Sequence, residues 1–331
     1  MENEIPHKGS PKKDYLVPIS VLIAGAMFAS AWAYTAKLDM REVEPPAQEM
    51  HAAKKSETAP RSVLEERVLP SEGVVLPATW GNLGVRMVEA GVIDADKFAD
   101  IYRKRGTFSE EYENLLLGQS NERIRITEDN AGYLLNLFWA LGLASKNPIL
   151  EFGEMTDDAY GGAENFASTG GWSVSRGSPM AHYSRHTFFT LSPEEQALVE
   201  KMAMGIYRPC CGNSTHFPDC NHGMAMLGLL ELMASQGASE GEMWKAALAV
   251  NSYWFPDTYL SIATYMKQRG VEWNVVSPSV VLGADYSSAS GYAKVAAQVE
   301  GVRARGQGGC GIEGGEAAGG EREEQKGGCG I

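Results

Sequence analysis

SPEEQALVEKMAMGIYRPCCGNSTHFPDCNHGMAMLGLLELMASQG, residues 192–237, reads as two helices separated by a loop that is dense in sulfur and imidazole. Ser192 is a helix N-cap, Pro193 suits the first helical position, and Glu195 closes a capping box. Leu198, Val199, Met202 and Ile206 then recur at helical spacing. From His222 onward, HGMAMLGLLELMASQG is apolar nearly all round, which predicts a buried helix packed through Gly223, Ala225, Gly228 and Ala234. Met224 and Met226 read as core, and Glu231, a carboxylate inside that run, needs a buried partner.

The same punctuation extends outward on both sides. Ser239 with Glu242 opens a helix carrying Met243, Trp244, Ala247, Leu248 and Val250, and Thr127 leads into Tyr133, Leu134, Leu137, Phe138 and Leu141. Asp94–Arg105, Ser109–Leu117 and Pro256–Arg269 also fit helices, whereas alternating strand-like runs are scarce. The expected fold is mostly α, a single helical globular domain over 75–300 with a Gly/Cys/His-rich loop. Tyr253, Trp254, Phe255 and Tyr259 read as core or pocket wall.

Composition limits the function classes. The 331 residues carry 29 Lys and Arg against 42 Asp and Glu, a net charge of −13, too acidic for a surface that neutralises phosphates, so nucleic acid is not an expected partner. No nucleophile triad, P-loop, dinucleotide fingerprint or zincin motif is present. The chemistry concentrates instead in Tyr207–His222, where Cys210, Cys211, Cys220, His216 and His222 fall together. Thiolate and imidazole suit soft or borderline ions such as Cu, Zn or Fe. The adjacent pair Cys210-Cys211 fits a shared ion only if the backbone turns sharply, for which Gly212 is the expected place. A disulfide from either of them to Cys220 is the structural alternative. His182 and His186, four apart, would share one face of a helix and could add ligands. They follow a second Gly/Ser-rich segment, 157–179.

Both ends of the chain differ from this domain. Residues 15–34, YLVPISVLIAGAMFASAWAY, are uncharged and long enough to span a bilayer. The flanking Lys8, Lys12 and Lys13 favour a cytoplasmic N-terminus of residues 1–14, which places the domain outside the cytoplasm. A cleaved signal peptide, with Ala29-Ser30-Ala31 as a cleavage site, exports the same domain. Residues 35–74, rich in charge, Pro and Ala, read as a tether. Residues 301–331 hold twelve of the 37 glycines and read as a disordered tail, with Cys310 and Cys329 each inside a Gly-Gly-Cys-Gly-Ile repeat. Those thiols are free to sweep toward the loop.

The run Pro209-Cys210-Cys211-Gly212, with His216 and then Asp219-Cys220 ahead of His222, resembles a shortened form of the loop in exported proteins named for a Pro-Cys-Tyr-Cys-Gly-Cys motif. The anchor, the PCCGN and DCNHGM runs and the Gly-Cys-Gly end also resemble an uncharacterised group of membrane-anchored prokaryotic proteins. The resemblance implies export and cysteine-based ligation. It carries no activity. Two functional expectations follow from the residues: a membrane-anchored protein that holds an ion through the loop and exchanges it with the tail thiols, or a thiol-disulfide oxidoreductase using loop and tail cysteines. A disulfide-stapled binding module is the non-catalytic alternative.

Overall fold

The computed structural model describes residues 61–299, and it is mostly helical as expected. The segments expected as anchor (15–34) and tail (301–331, with Cys310 and Cys329) lie outside the described residues, as does the tether up to residue 60. Among the described residues no helix is long and apolar enough to cross a membrane.

Folded structure begins earlier than the expected boundary at 75. Helix α1 (Val63–Val68) starts on a complete capping box between Ser62 and Glu65 and drives Val68 and Leu69 into the core. Strand β1 (Val74–Gly81) follows, alternating buried Leu76, Ala78 and Trp80 with more exposed neighbours. It pairs antiparallel with β2 (Ser120–Ile126) across three intervening helices, α2 (Leu83–Glu89), α3 (Ala95–Lys104) and α4 (Glu110–Leu117). The ladder slips twice, between Val75 and Thr79 and again before Gly81.

The centre of the domain is α5 (Ala131–Ala144) packed on α8 (Asn221–Ser235), both buried along almost their whole length. They cross where Gly142 meets Gly228. A Cβ on Gly142 would lie 2.1 Å from the Met224 carbonyl oxygen, and one on Gly228 would lie 2.5 Å from that of Phe138. Only the absence of side chains permits this approach. The short α6 (Pro148–Phe152) and four single 3-10 turns between Glu154 and Ala181 cover one side of the pair. The Gly/Ser-rich 157–179 segment is thereby a wrapping layer: Trp172 donates to the Val92 carbonyl at 2.8 Å, and Trp139 donates to that of Ser168 at 2.6 Å. Helix α7 (Pro193–Gly205) begins on the expected Ser192/Glu195 capping box. Helices α9 (Glu240–Trp254), α10 (Pro256–Gln268), α11 (Pro278–Val281), α12 (Ala284–Ser287) and α13 (Ala289–Ala296) complete the described chain.

Candidate metal centre

The loop between α7 and α8 is held at both flanks by backbone bonds. Thr215 N–H donates to the Ile206 carbonyl at 2.8 Å, His216 N–H to Ala203 at 3.0 Å, Tyr207 N–H to Leu282 at 2.8 Å, and Ala289 N–H to the Cys211 carbonyl at 2.9 Å. The sharp bend that the vicinal cysteines require is the turn Arg208-Pro209-Cys210-Cys211, closed by a 3.3 Å bond from Cys211 N–H to the Arg208 carbonyl. Proline at its second position presets the backbone. The turn thus takes in both cysteines, and the chain goes on bending through Gly212, where a sharp turn was expected.

This turn brings Cys210, Cys211 and Cys220 together, with all three sulfur atoms within 4.8 Å of one another. The three are free thiols, and the Cys210 and Cys220 sulfurs stand 3.5 Å apart, so the expected disulfide staple is not formed. Cys220 is fully buried at the N-cap of α8, while Cys210 is partly exposed and gives the cluster its face toward solvent. The triad could hold a metal ion. His222 stands beside it, its Nδ1 3.9 Å from the Cys210 sulfur. Its ring packs against Phe255 at 4.4 Å and Trp254 at 5.8 Å between centroids.

Arg208, 1% exposed, organises the charges around the triad. Its Nε donates to the Cys220 sulfur at 3.1 Å, Nη1 to the Asn213 carbonyl at 3.0 Å, and Nη2 to the Phe217 carbonyl at 2.9 Å and to Asp219 Oδ1 at 2.5 Å. Asp219 Oδ2 accepts from the Asn213 amide at 2.8 Å, so both carboxylate oxygens are satisfied. The guanidinium fits because residue 223 is glycine: a Cβ there would lie 2.5 Å from Arg208 Cζ. Hydrogen bonds from Cys210 and Cys211, with the adjacent Arg208 charge, hold the Cys220 thiol well below its ordinary range. Its place at the N-terminus of α8 also favours negative charge on the Cys220 sulfur. Cys211 is lowered by its bond with Cys210 but raised further by Cys220 and burial, to about 12.

The other expected ligands lie elsewhere. His216 contributes its backbone to the loop, and its imidazole is not among the atoms gathered at the triad. His182 and His186 do not share a helix. A single 3-10 turn, Pro179–Ala181, ends at His182, and Ser184 then takes φ 52°, a left-handed conformation that reverses the chain. The two imidazoles bond each other at 3.1 Å (Nδ1 to Nε2), and His182 Nε2 bonds the Arg176 carbonyl. Burial, and then the neighbouring His182, lower the pKa of His186. The pair is a fastening of the wrapping layer.

Glu231 has found its partner, the Asn147 amide, whose Nδ2 donates to Oε1 at 2.5 Å. Its Oε2 and the Ser145 hydroxyl oxygen are buried without a hydrogen-bond partner, and both residues line a cavity of about 170 Å³ with Lys146 and Gln196. Burial raises the carboxyl to about 8, with the Asn147 amide pulling it partway back. Between the unfolded value of 4.5 and 8 the native state holds a proton that the unfolded chain does not. The stabilisation is therefore complete below 4.5 and is lost as pH rises through 8, at up to about 1.4 kcal/mol per pH unit. We expect urea denaturation of Glu231→Gln to lack this component; equal pH slopes in both proteins would contradict it.

Compared with family models, curated proteins and solved structures, the chain matches none.

Proposed function

We propose that the protein is a metal-binding protein that holds one soft or borderline ion, Cu, Zn or Fe, on Cys210, Cys211 and Cys220. The observation that carries this is the convergence of three unbridged sulfurs on one another, against the Arg208 charge. Sulfurs bound to a common ion at about 2.3 Å are separated by roughly 3.8 Å in a tetrahedral site, close to the spacing already present. His222 Nδ1 is placed to complete a Cys3His set, and without it three thiolates suit Cu(I). We further propose that 15–34 anchors the domain outside the cytoplasm, in keeping with the family resemblance, and that Cys310 and Cys329 pass the ion to or from the loop.

Element analysis of the full-length chain, purified anaerobically under reducing conditions, tests this. One equivalent of metal is expected, lost in Cys210→Ser and in Cys220→Ser and retained when the chain is truncated before Gly306. A metal-free protein with a Cys210–Cys220 disulfide by mass spectrometry would overturn it. That outcome would favour thiol-disulfide exchange, for which the 3.5 Å separation and the lowered Cys220 thiol are the supporting features.

A further inference from the structure

His222 also lines a cavity of about 410 Å³ to which no role has yet been given. That volume lies within the range of small-molecule sites. Its walls are aromatic. Tyr102 and Tyr133 meet at 4.7 Å between centroids, Trp254 and Phe255 form another wall, and the His222 ring lies against Phe255. These rings are fixed by bonds made elsewhere: Tyr133 donates to the Tyr112 carbonyl at 2.6 Å, and Trp254 donates to that of Ala131 at 3.2 Å. The cavity is therefore preformed; Tyr102 and Tyr133 are almost wholly buried, Tyr133 under the stacked Tyr112 ring, so the faces open to a flat ring are those of the half-buried Trp254 and Phe255.

Two amides also line it with hydrogen-bonding capacity that no described residue uses. Asn136 Nδ2 donates to the Tyr102 hydroxyl oxygen at 2.6 Å, which leaves its Oδ1 without a protein partner. Asn221 Oδ1 accepts from His222 N–H at 2.9 Å, which leaves its Nδ2 without one. Neither atom is among the sealed, unsatisfied polar atoms of the interior, and both residues line the cavity. The residues are themselves almost wholly buried, Asn136 at 6% and Asn221 at 2% exposed. A ligand can therefore bond either atom without breaking a hydrogen bond of the fold. One acceptor and one donor set the complementary edge: an N–H to meet Asn136 and an oxygen to meet Asn221. Glu128 and Asp129 against Arg105 among the lining residues disfavour an anion.

We infer that this cavity is a binding site for a neutral, planar aromatic molecule bearing a carboxamide-like donor–acceptor edge. The ring stacks on Trp254 and Phe255, and the edge bonds Asn136 and Asn221. The bound molecule then touches His222, whose far nitrogen faces Cys210. Binding itself requires only the cavity, so it stands apart from metal at the triad.

Isothermal calorimetry on the full-length chain tests this with three probes: 2-naphthamide, N,N-dimethyl-2-naphthamide, which lacks the N–H, and 2-naphthoate, which lacks the N–H and carries a charge. Saturable 1:1 binding of 2-naphthamide is expected, with the dimethylamide and the carboxylate each at least about tenfold weaker, the scale of one lost bond. Asn136→Leu and Asn221→Leu should each weaken 2-naphthamide by about tenfold while leaving the dimethylamide, already lacking the N–H, less affected by the change at Asn136. No saturable heat from 2-naphthamide, or equal affinity for all three probes, overturns the assignment. The probe comparison is made on the unsubstituted protein, so it decides the matter even where an Asn variant does not fold. Element analysis of the same samples reports separately on the triad.

Discussion

Arg208→Met is expected to cost the domain about 3 to 5 kcal/mol of unfolding free energy, the scale for removing one partner of a buried ion pair. Met is close in length and fills the channel over Gly223, so the loss comes from charge and hydrogen bonding rather than from a cavity. With the guanidinium gone, Asp219 keeps only the Asn213 amide and its own backbone surroundings, the Asn213 carbonyl loses its donor, the Phe217 carbonyl keeps only the Asp219 N–H, and Cys220 loses its positive neighbour. Urea denaturation at pH 7 measures the change. A loss below about 1 kcal/mol would show that water or the loop itself replaces Arg208. Arg208→Lys should fall little short of Met, because one ammonium cannot serve four acceptors spread over this planar fork.

Gly142→Ala is expected to destabilise by about 2 to 3 kcal/mol, against the usual direction of such a change. Inside a helix, alanine is favoured over glycine by about 1 kcal/mol. Here the new methyl carbon would stand 2.1 Å from the Met224 carbonyl oxygen and 2.9 Å from the Gly228 nitrogen. Both are backbone atoms of the facing helix, so relief requires α5 and α8 to separate along a tightly packed seam. Gly132→Ala is the control in the same helix, where the added carbon meets nothing within 4 Å and stability should hold or rise by a few tenths. Thermal or urea denaturation of the two variants should therefore give opposite signs. The same sign in both would mean that the α5–α8 crossing yields more readily than close packing implies.

What the sequence disclosed follows from how local each signal is. The helices starting at Ser192 and Ser239 were legible because a capping box is complete within four residues. The β1–β2 pair was not, since its strands lie on either side of three helices, β1 contains Pro77, and in β2 only Ile124 and Ile126 are buried. Capping also places the domain's start at Ser62, where charge and proline content suggested a tether. In the site, clustered composition pointed to Cys210, Cys211, Cys220 and His222, and the bend at Gly212 was expected, whereas the turn from Arg208 through Pro209 ahead of it was not. His182 and His186 did come together, though through the left-handed Ser184 rather than along a helix. Arg208 escaped notice because its role depends on a glycine fifteen positions later; an arginine flanked by Tyr207 and Pro209, with a lone Asp219 nearby, was the available clue.

The bonds from Tyr207 to Leu282 and from Ala289 to Cys211 give the cysteine turn a dependence on events far along the chain. Every residue of the triad has left the ribosome long before the segment that clamps it. In the interval the thiols sit on a loop whose flanks are only half held, and the spacing of the sulfurs is a property of the finished domain rather than of the motif. A peptide copied from residues 207–222 would present the same cysteines without this scaffold. Order of synthesis thus separates possession of the ligands from possession of the site, and the site matures only once the last helices have docked.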